Sequence, residues 1–411
     1  FNSNKFKHIL KVVQLNINIC NLKRLQMNKT IGVLGGGQLG KMLFEAGSPL
    51  NINFTFLEKS EGCPASLVCS NQVVGSLQDP IKINSLAKNA DVLTYEIEHV
   101  NVEALEQLER EGTPVFPKPA VLSIIQDKGL QKQYYADRDV STLRFTLATK
   151  DTLEEEVSNW TEDRFVLKHR KGGYDGKGVQ LLTKSQFENL KNHQDKSLIS
   201  EHGFVIEKLA NNAIEVSVIV AVAQDGSSIT YPPCEMVFNP RSNLMDYLIA
   251  PSSLSLEINH KCEALALKAV KGFNSPGLFA VELFVEARGG IFVNEIAPRP
   301  HNSGHHTIES CYTSQYEQLN RILLGQPLGS TALIKPAATC NIVGPQDVNG
   351  AYELANLNEV LQIEGVYIHM YGKTTTSHDR KLGHFTILAD TRVEVIEKME
   401  KVKGMLSIKS T

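Results

Sequence analysis

Residues 294–306, reading NEIAPRPHNSGHH, constrain this chain more than any other stretch. They close the run FAVELFVEARGGIFVNEIA, two β-rich segments divided by Ala287-Arg288-Gly289-Gly290, a composition that predicts a hairpin. With the turn centred on Arg288-Gly289, antiparallel pairing sets Glu282 directly opposite Glu295. Carboxylates facing each other across a ladder repel, and a sheet gains nothing by placing them there. A divalent cation bridging both removes the penalty, and hard oxygen ligands completed by phosphate suit Mg²⁺. The competing reading is a solvated hairpin in another register. Arg299, His301, Asn302, His305 and His306 then crowd the next loop around Pro298, Pro300 and Gly304. So polar a loop, leaving a carboxylate hairpin and entering a helix, reads as a substrate floor and favours a nucleotide-metal site.

The rest of the chain can supply such a site with a scaffold. Its 411 residues, 42% hydrophobic with a formal net charge of −3, support two or three domains with real cores and show no basic excess for a nucleic-acid surface. Cys20, Cys63, Cys69, Cys234, Cys262, Cys311 and Cys340 are scattered without a CxxC pair, as expected of small buried residues in a reducing compartment. No apolar run approaches the roughly 18 to 20 residues of a membrane span. A soluble, cytoplasmic protein is expected. Residues 1–26 are rich in Asn and Lys and differ in character from the remainder of the chain, so they read as a non-native or disordered extension, with Met27 as the true start.

From residue 30 the chain alternates strands and helices. A strand at 30–34 enters Gly35-Gly36-Gly37-Gln38-Leu39-Gly40 and a helix at 38–46, and Glu58 ends the next strand. That is the dinucleotide fingerprint, although a tight βα turn needs the same glycines. Residues 27–122 are expected to form a small parallel α/β domain. Helices are expected at 126–137 and at 151–160, the second opened by a capping box of Asp151 and Glu154. A strand at 165–170 carries Lys168, and Gly172-Gly173-Tyr174-Asp175-Gly176-Lys177-Gly178 comes after it. A strand is next where a Walker loop requires a helix, so this is a flap laid over phosphates. Strands are expected at 204–209, 215–223 and 228–238, and helices at 257–273 and 307–324. The latter turns Ile308, Cys311, Tyr312, Leu319, Ile322 and Leu323 inward. Glu207 and Glu215 sit at strand edges, where a purine and its ribose could lie. Residues 123–333 make a central domain and 334–411 a smaller β-rich one. In the latter, Lys373, Arg380, Lys381 and His384 surround a loop fit to clamp an anion.

GGGQLGKM, KGGYDGKG, NEIAPRPHNSGH and the closing RKLGH together resemble the motifs of the ATP-grasp superfamily. Within it they resemble the 5-(carboxyamino)imidazole ribonucleotide synthetases of purine biosynthesis. The resemblance runs from about Lys29 to the end. It implies a mixed α/β and α+β fold, with a pre-ATP-grasp domain, a two-sheet ATP-binding domain and a small β-rich domain. It implies ATP as co-substrate and Mg²⁺, with Mn²⁺ as substitute, on Glu282, Asn294 and Glu295. Lys128 and Lys168 would hold the ATP phosphates, and Glu207, Lys208, Leu209 and Glu215 the adenine and ribose. Tyr174, Asp175, His301, Asn302 and His305 would face bicarbonate and the aminoimidazole. Gly37, Gln38, Leu39 and Arg299 would contact the ribonucleotide, and Lys373, Arg380 and Lys381 its phosphate. The implied reaction carboxylates 5-aminoimidazole ribonucleotide through carboxyphosphate, in a homodimer without nucleic-acid or membrane partners. The chain departs from that pattern at Asp139-Val140-Ser141-Thr142 and in having no histidine between residues 235 and 246. Rival readings are a formate-dependent glycinamide ribonucleotide transformylase, a dinucleotide-dependent oxidoreductase and a non-catalytic nucleotide sensor.

Overall fold

A computed structural model describes residues 29–173, 178–240 and 244–411. The expected extension at 1–26 and the flap residues Tyr174, Asp175, Gly176 and Lys177 lie outside them. The first unit is a parallel sheet in the order β3-β2-β1-β4, with β1 Thr30–Leu34, β2 Asn53–Glu58, β3 Gln72–Val74 and β4 Val92–Tyr95. β1 and β4 are buried almost throughout because both faces are covered, as parallel sheets require. One face packs Leu34, Leu57 and Leu93 against Ile83, Leu86, Leu105 and Leu108 from the helices Pro80–Ala87 and Val102–Arg110. The other shares a core with Tyr316, Leu319 and Ile322 of the helix Gln315–Leu323, so this unit is bonded to the rest of the molecule by apolar contact.

A second, antiparallel sheet has the order β5-β8-β6-β7, with β5 Phe145–Ala148, β6 Arg164–His169, β7 Val179–Thr183 and β8 Phe204–Lys208. Phe165, Leu167, Phe204 and Ile206 face Leu153, Val157 and Trp160, giving it a core of its own. The expected capping box at Asp151 is absent. The helix is Leu153–Asn159, and the backbone N–H groups of Thr149 and Thr152 instead each donate to the other's hydroxyl, at 3.0 and 3.2 Å.

The third sheet is nine-stranded, in the order β14-β13-β9-β11-β12-β15-β19-β17 with β10 paired to β9. Its strands are β9 Ile214–Val222, β10 Ser228–Thr230, β11 Cys234–Phe238, β12 Met245–Ala250, β13 Gly277–Val285, β14 Ile291–Ala297, β15 Ala337–Val343, β17 Val366–Met370 and β19 Lys381–Leu388. A small sheet of β16 Gly350–Ala355, β18 Thr375–Thr376 and β20 Ser407–Ser410 lies beside it. The strand expected over 228–238 is thus two, because Pro232 and Pro233 lack the N–H that a continuous ladder needs. The helix expected over 307–324 is also broken, into Thr307–Ser310 and Gln315–Leu323. Between them Cys311 bridges to Leu333, Tyr312 is 68% exposed rather than inward, and Ser314 caps the second helix by accepting from Glu317 N–H at 3.1 Å.

In the β13–β14 hairpin Glu282 does stand opposite Glu295, but not by the route expected. Glu286 N–H donates to Gly290 C=O at 2.8 Å, and Leu283, Phe284 and Val285 face Val293, Phe292 and Ile291. That turn, one residue tighter, would place Glu282 against Asn294. A register shift at Glu282/Leu283 leaves Asn294 as the extra residue of a β-bulge and restores the facing carboxylates. The described cysteines are buried and free of disulfides, and no helix among the described residues is long and apolar enough to cross a membrane.

Candidate active site

The bulge brings the site together. In an unbroken strand Asn294 and Glu295 would point to opposite faces. Here Asn294 Oδ1 accepts from Lys168 Nζ at 3.0 Å and Glu295 pairs with Lys128, while the flanking Val293 and Ile296 both enter one core. Burial, then the facing Glu295 and Glu215, raise the pKa of Glu282. Lys128 leads the groups that hold Glu295 below the usual carboxylate range. Two like charges that cannot both ionise divide in this way. Burial opposes the charge on Lys128 as well, but Glu295 outweighs it and its pKa rises.

Behind this pair lies a buried ion cluster that the sequence did not reveal. Glu207 is 1% exposed and accepts from both Lys132 and Lys168, the latter at 2.6 Å. Burial would raise the Glu207 pKa, yet the two ammonium groups hold it low, and burial lowers Lys132 to about 8. The carboxylate of Glu207, expected at adenine and ribose, is turned inward as counter-ion, which leaves its backbone to face that position. Lys208 and Leu209, ending the same strand, and Glu215 at the start of β9 remain half-exposed, and burial pushes Glu215 up to about 7. Thr142, from the degraded motif, accepts from Lys132 at 2.8 Å and donates to Val293 C=O at 2.8 Å, so that segment still anchors the hairpin.

Of the flap, Gly172, Gly173 and Gly178 are described. His169 N–H bonds Gly178 C=O at 2.9 Å, so the loop leaves and re-enters one hairpin, whose first strand carries Lys168. Its base is held by Arg170, which forks onto Asp127 at 2.8 and 2.9 Å. Asp127 in turn caps the helix Lys128–Ala136 through Gly129 N–H at 2.8 Å. A side chain at Gly129 would strike Arg170, and glycine leaves room for this fork.

The floor loop continues from β14. Arg299 pairs with Glu98 at 2.8 Å, His301 Nε2 stands 3.7 Å from Glu282, and His301 Nδ1 is 2.9 Å from Ser303 Oγ. Asn302 keeps a buried Oδ1 without a hydrogen-bond partner among the described residues. His305 and His306 are buried, at 2% and 1%. Tyr316 Oη lies 2.9 Å from His305 Nδ1 and Tyr371 Oη 3.4 Å from its Nε2. Both ring nitrogens of His305, expected to meet bicarbonate or the aminoimidazole, are thus engaged by tyrosines.

Glu96, at the end of β4, accepts from Gly37 and Gly40 N–H, and Glu58 accepts from Gly36 N–H at 3.0 Å. The anion position at the amino end of the helix Gln38–Gly47 is thus filled by the chain's own carboxylate, which removes the dinucleotide reading. Gln38 and Leu39 sit on the first turn of that helix, half-buried. In the clamp, Lys373 Nζ donates to Lys381 C=O at 2.6 Å, and exposed Arg380 donates to Thr375 Oγ1 at 3.0 Å. Glu96, Glu98, Lys132 and Arg170 were missed. The signal for the first two was present: YEIEHV comes after the strand beside the glycine turn, where open α/β sheets bind ligands.

Among the described residues, no group of three or more His, Cys, Asp or Glu side chains could hold a metal unaided. The oxygen set of Glu282, Asn294 and Glu295 suits a hard cation whose shell a substrate completes.

Comparison with known proteins agrees with this geometry. The ribonucleotide synthetase preATP-grasp domain matches residues 27–126, the ATP-grasp domain 133–316, and the phosphoribosylaminoimidazole carboxylase C-terminal domain 337–398. Phosphoribosylaminoimidazole carboxylase of Vigna aconitifolia is 37% identical over 88% of the chain, and the chain spans 64% of that protein's length. N5-carboxyaminoimidazole ribonucleotide synthase of Aquifex aeolicus is 32% identical, covering 92% of this chain and 97% of its own. Among solved structures, the Thermotoga maritima synthetase superposes with a TM-score of 0.83 at 35% identity, covering 93% of this chain and 100% of its own. The Aspergillus clavatus enzyme, in complex with ADP and 5-aminoimidazole ribonucleotide, gives 0.83 at 29% identity over 92% and 98%. With its lysines, facing carboxylates and floor loop set on this fold, the chain belongs to the N5-carboxyaminoimidazole ribonucleotide synthase family of ATP-grasp enzymes.

Proposed function

We propose that the chain carboxylates 5-aminoimidazole ribonucleotide with bicarbonate and ATP, yielding 5-carboxyaminoimidazole ribonucleotide, ADP and phosphate. The observation that carries this is the meeting of Lys128 and Lys168 with Glu282, Asn294 and Glu295, on the strand that runs on into the floor loop. Both ammonium groups transfer from these oxygens to ATP phosphates, beneath the flap of Gly172, Gly173, Tyr174, Asp175, Gly176, Lys177 and Gly178. The end of β8 at Lys208 and Leu209, with Glu215, receives adenine and ribose. Mg²⁺ or Mn²⁺ would be held by Glu282, Asn294 and Glu295, and supplies charge neutralisation at the transferred phosphoryl group when bound.

A bicarbonate oxygen attacks the γ-phosphorus and ADP leaves, giving carboxyphosphate. The exocyclic amine of the ribonucleotide then attacks its carbon, phosphate leaves, and the amine loses a proton. Closure of the flap keeps water from this short-lived anhydride and holds the partners together. With His305 held between Tyr316 and Tyr371, His301 beside Glu282 is the described group to accept the proton, and Asp175 and Tyr174 are assigned to the same step by the motif they belong to. Asn302 Oδ1 is ready for a substrate donor. Gly37, Gln38, Leu39 and Arg299 border the sugar, and Lys373, Arg380 and Lys381 take its phosphate. A cytoplasmic homodimer is part of this reading.

The test is ADP release in the presence of Mg²⁺. Bicarbonate plus 5-aminoimidazole ribonucleotide should stimulate it, and formate plus glycinamide ribonucleotide should not. The reverse pattern would replace this reaction with the formate-dependent one.

A further inference from the structure

The two most distinctive stretches, NSGHH and RKLGH, meet each other. His305 from the floor loop stacks on His384 of β19, ring centroids 4.4 Å apart and planes 18° from parallel. His384 stacks in turn on His369 of β17, at 4.6 Å and 15°. Gly383 makes this possible, since a side chain there would meet the His369 carbonyl and Met370 of the neighbouring strand. Tyr371 Oη lies 3.0 Å from His384 Nδ1 and 3.4 Å from His305 Nε2, and Tyr316 Oη lies 2.9 Å from His305 Nδ1. His369 Nε2 is 2.6 Å from Glu309, on the helix that comes after the floor loop. The floor loop and the C-terminal strands are thus bonded twice, by a buried polar chain and by the His369–Glu309 hydrogen bond at its rim.

His384 depends on Tyr371 for its one side-chain hydrogen bond among the described residues, since its buried Nε2 has no partner there. Tyr371 has one hydroxyl proton, so it donates to one histidine and accepts from the other, which fixes the ring orientations of both. Burial keeps His305 and His384 well below the usual imidazole pKa, and thus neutral. The far side of Tyr371 faces the clamp, with the Lys373 ammonium 5.7 Å from its ring centroid and donating to Lys381 C=O at 2.6 Å.

We propose that Tyr371 and His384 are positioning residues for the ribonucleotide: through His305 they set the cations of the C-terminal clamp at a fixed distance from the floor loop. The inference rests on the reading that Lys373 and Lys381 bind the ribonucleotide phosphate. Neither Tyr371 nor His384 touches substrate in this scheme, and neither lies in the ATP cluster of Lys128, Lys168 and Glu207.

The experiment is steady-state kinetics on four variants, varying each substrate while the others saturate. Tyr371→Phe keeps the ring beside Lys373 and removes only the hydroxyl. It should raise KM for the ribonucleotide about 10-fold, as expected for losing a hydrogen bond within a buried chain, and leave KM for ATP unchanged. His384→Phe keeps the ring stack but not the Tyr371 bond and should do the same. His384→Asn places an amide where Nδ1 was and should recover most of the loss. Equal rises for both substrates, or an unchanged ribonucleotide KM in Tyr371→Phe, would overturn the proposal, as would His384→Asn no better than His384→Phe. Lys381→Ala separates the two layers. If it raises the ribonucleotide KM while Tyr371→Phe does not, the positioning role alone fails. If Lys381→Ala leaves that KM unchanged, the clamp reading itself fails.

Discussion

Glu96 is a carboxylate packed on the amino end of the helix Gln38–Gly47, and burial lifts its pKa from an ordinary 4.5 to about 7 despite two backbone donors. A raised pKa in the folded state means that its contribution to stability is present below about 4.5 and is lost as pH climbs toward 7. Glu96→Gln should therefore flatten the stability profile between those values, whatever offset the lost acceptor adds. Thermal melts of both proteins at either end of the window check this, and an unchanged gap would refute it. Arg380 offers a contrasting case, exposed and touching Thr375, so Arg380→Ala should leave the melting temperature alone. It should weaken the ribonucleotide on the order of 10- to 100-fold, with ATP barely affected, and Arg380→Lys should recover only part, since a point charge cannot reproduce a fork. Paired titrations on one variant decide it, and equal loss for both substrates would move this loop into the nucleotide site. At this scale the sequence showed residue types more readily than directions. Lys128, Lys168, Glu282 and Glu295 could be named because their chemistry demands company. The partners of Glu207 and His305 were not legible, because nothing local records that one faces two lysines and the other two tyrosines from distant segments.

The β13–β14 hairpin carries the element-scale lesson. Its pairing could be anticipated from two glutamates that needed a reason to face each other, while its bulge was overlooked. The sign was there: Val293 and Ile296 are both buried in one core although three apart, a spacing that an unbroken strand would send to opposite faces. The bulge also makes the two carboxylates unequal. Glu282→Gln spares the cost of keeping this carboxyl protonated beside Glu295 and should be neutral or stabilising at neutral pH, on the order of the roughly 0.2–1 kcal/mol of an opposed pair. Glu295→Gln strips Lys128 of its partner and should destabilise. Both should lose Mg²⁺-dependent ATP turnover. Melting curves with and without Mg²⁺ and a non-hydrolysable ATP analogue give a readout apart from turnover. Full stabilisation by ligand in either variant would show the metal assignment to be wrong. The helix break around Tyr312 was missed for a related reason, since a four-residue interruption, close to one helical turn, barely disturbs an apolar period.

Over the whole molecule, the sheets do different things. The β5-β8-β6-β7 sheet has its own core and carries the flap hairpin, and polar links through Lys168, Arg170 and Glu207 tie it to the other walls of the site. Hydrogen exchange should find it the less protected of the two ATP-facing sheets, and ATP with Mg²⁺ should slow exchange in β6 and β7 more than in β9. Equal protection before and after nucleotide would mean that it does not move as a flap. The succession of parallel unit, ATP-binding unit and β-rich unit was legible in motif order, but the joining of the last two was not, because strand neighbours far apart in sequence leave no local mark. β15 pairs directly with β12, Tyr247 against Cys340 through Ala250 against Ala337, and Lys403 reaches back to Asp246 at 2.7 Å. The polypeptide is therefore not divisible where its motifs suggest. Severed in the loop between Gly329 and Pro336, each fragment would carry a raw sheet edge and half of a core. Each alone should aggregate, and the two made together should reassemble into one active particle, like a torn page whose lines run across the tear.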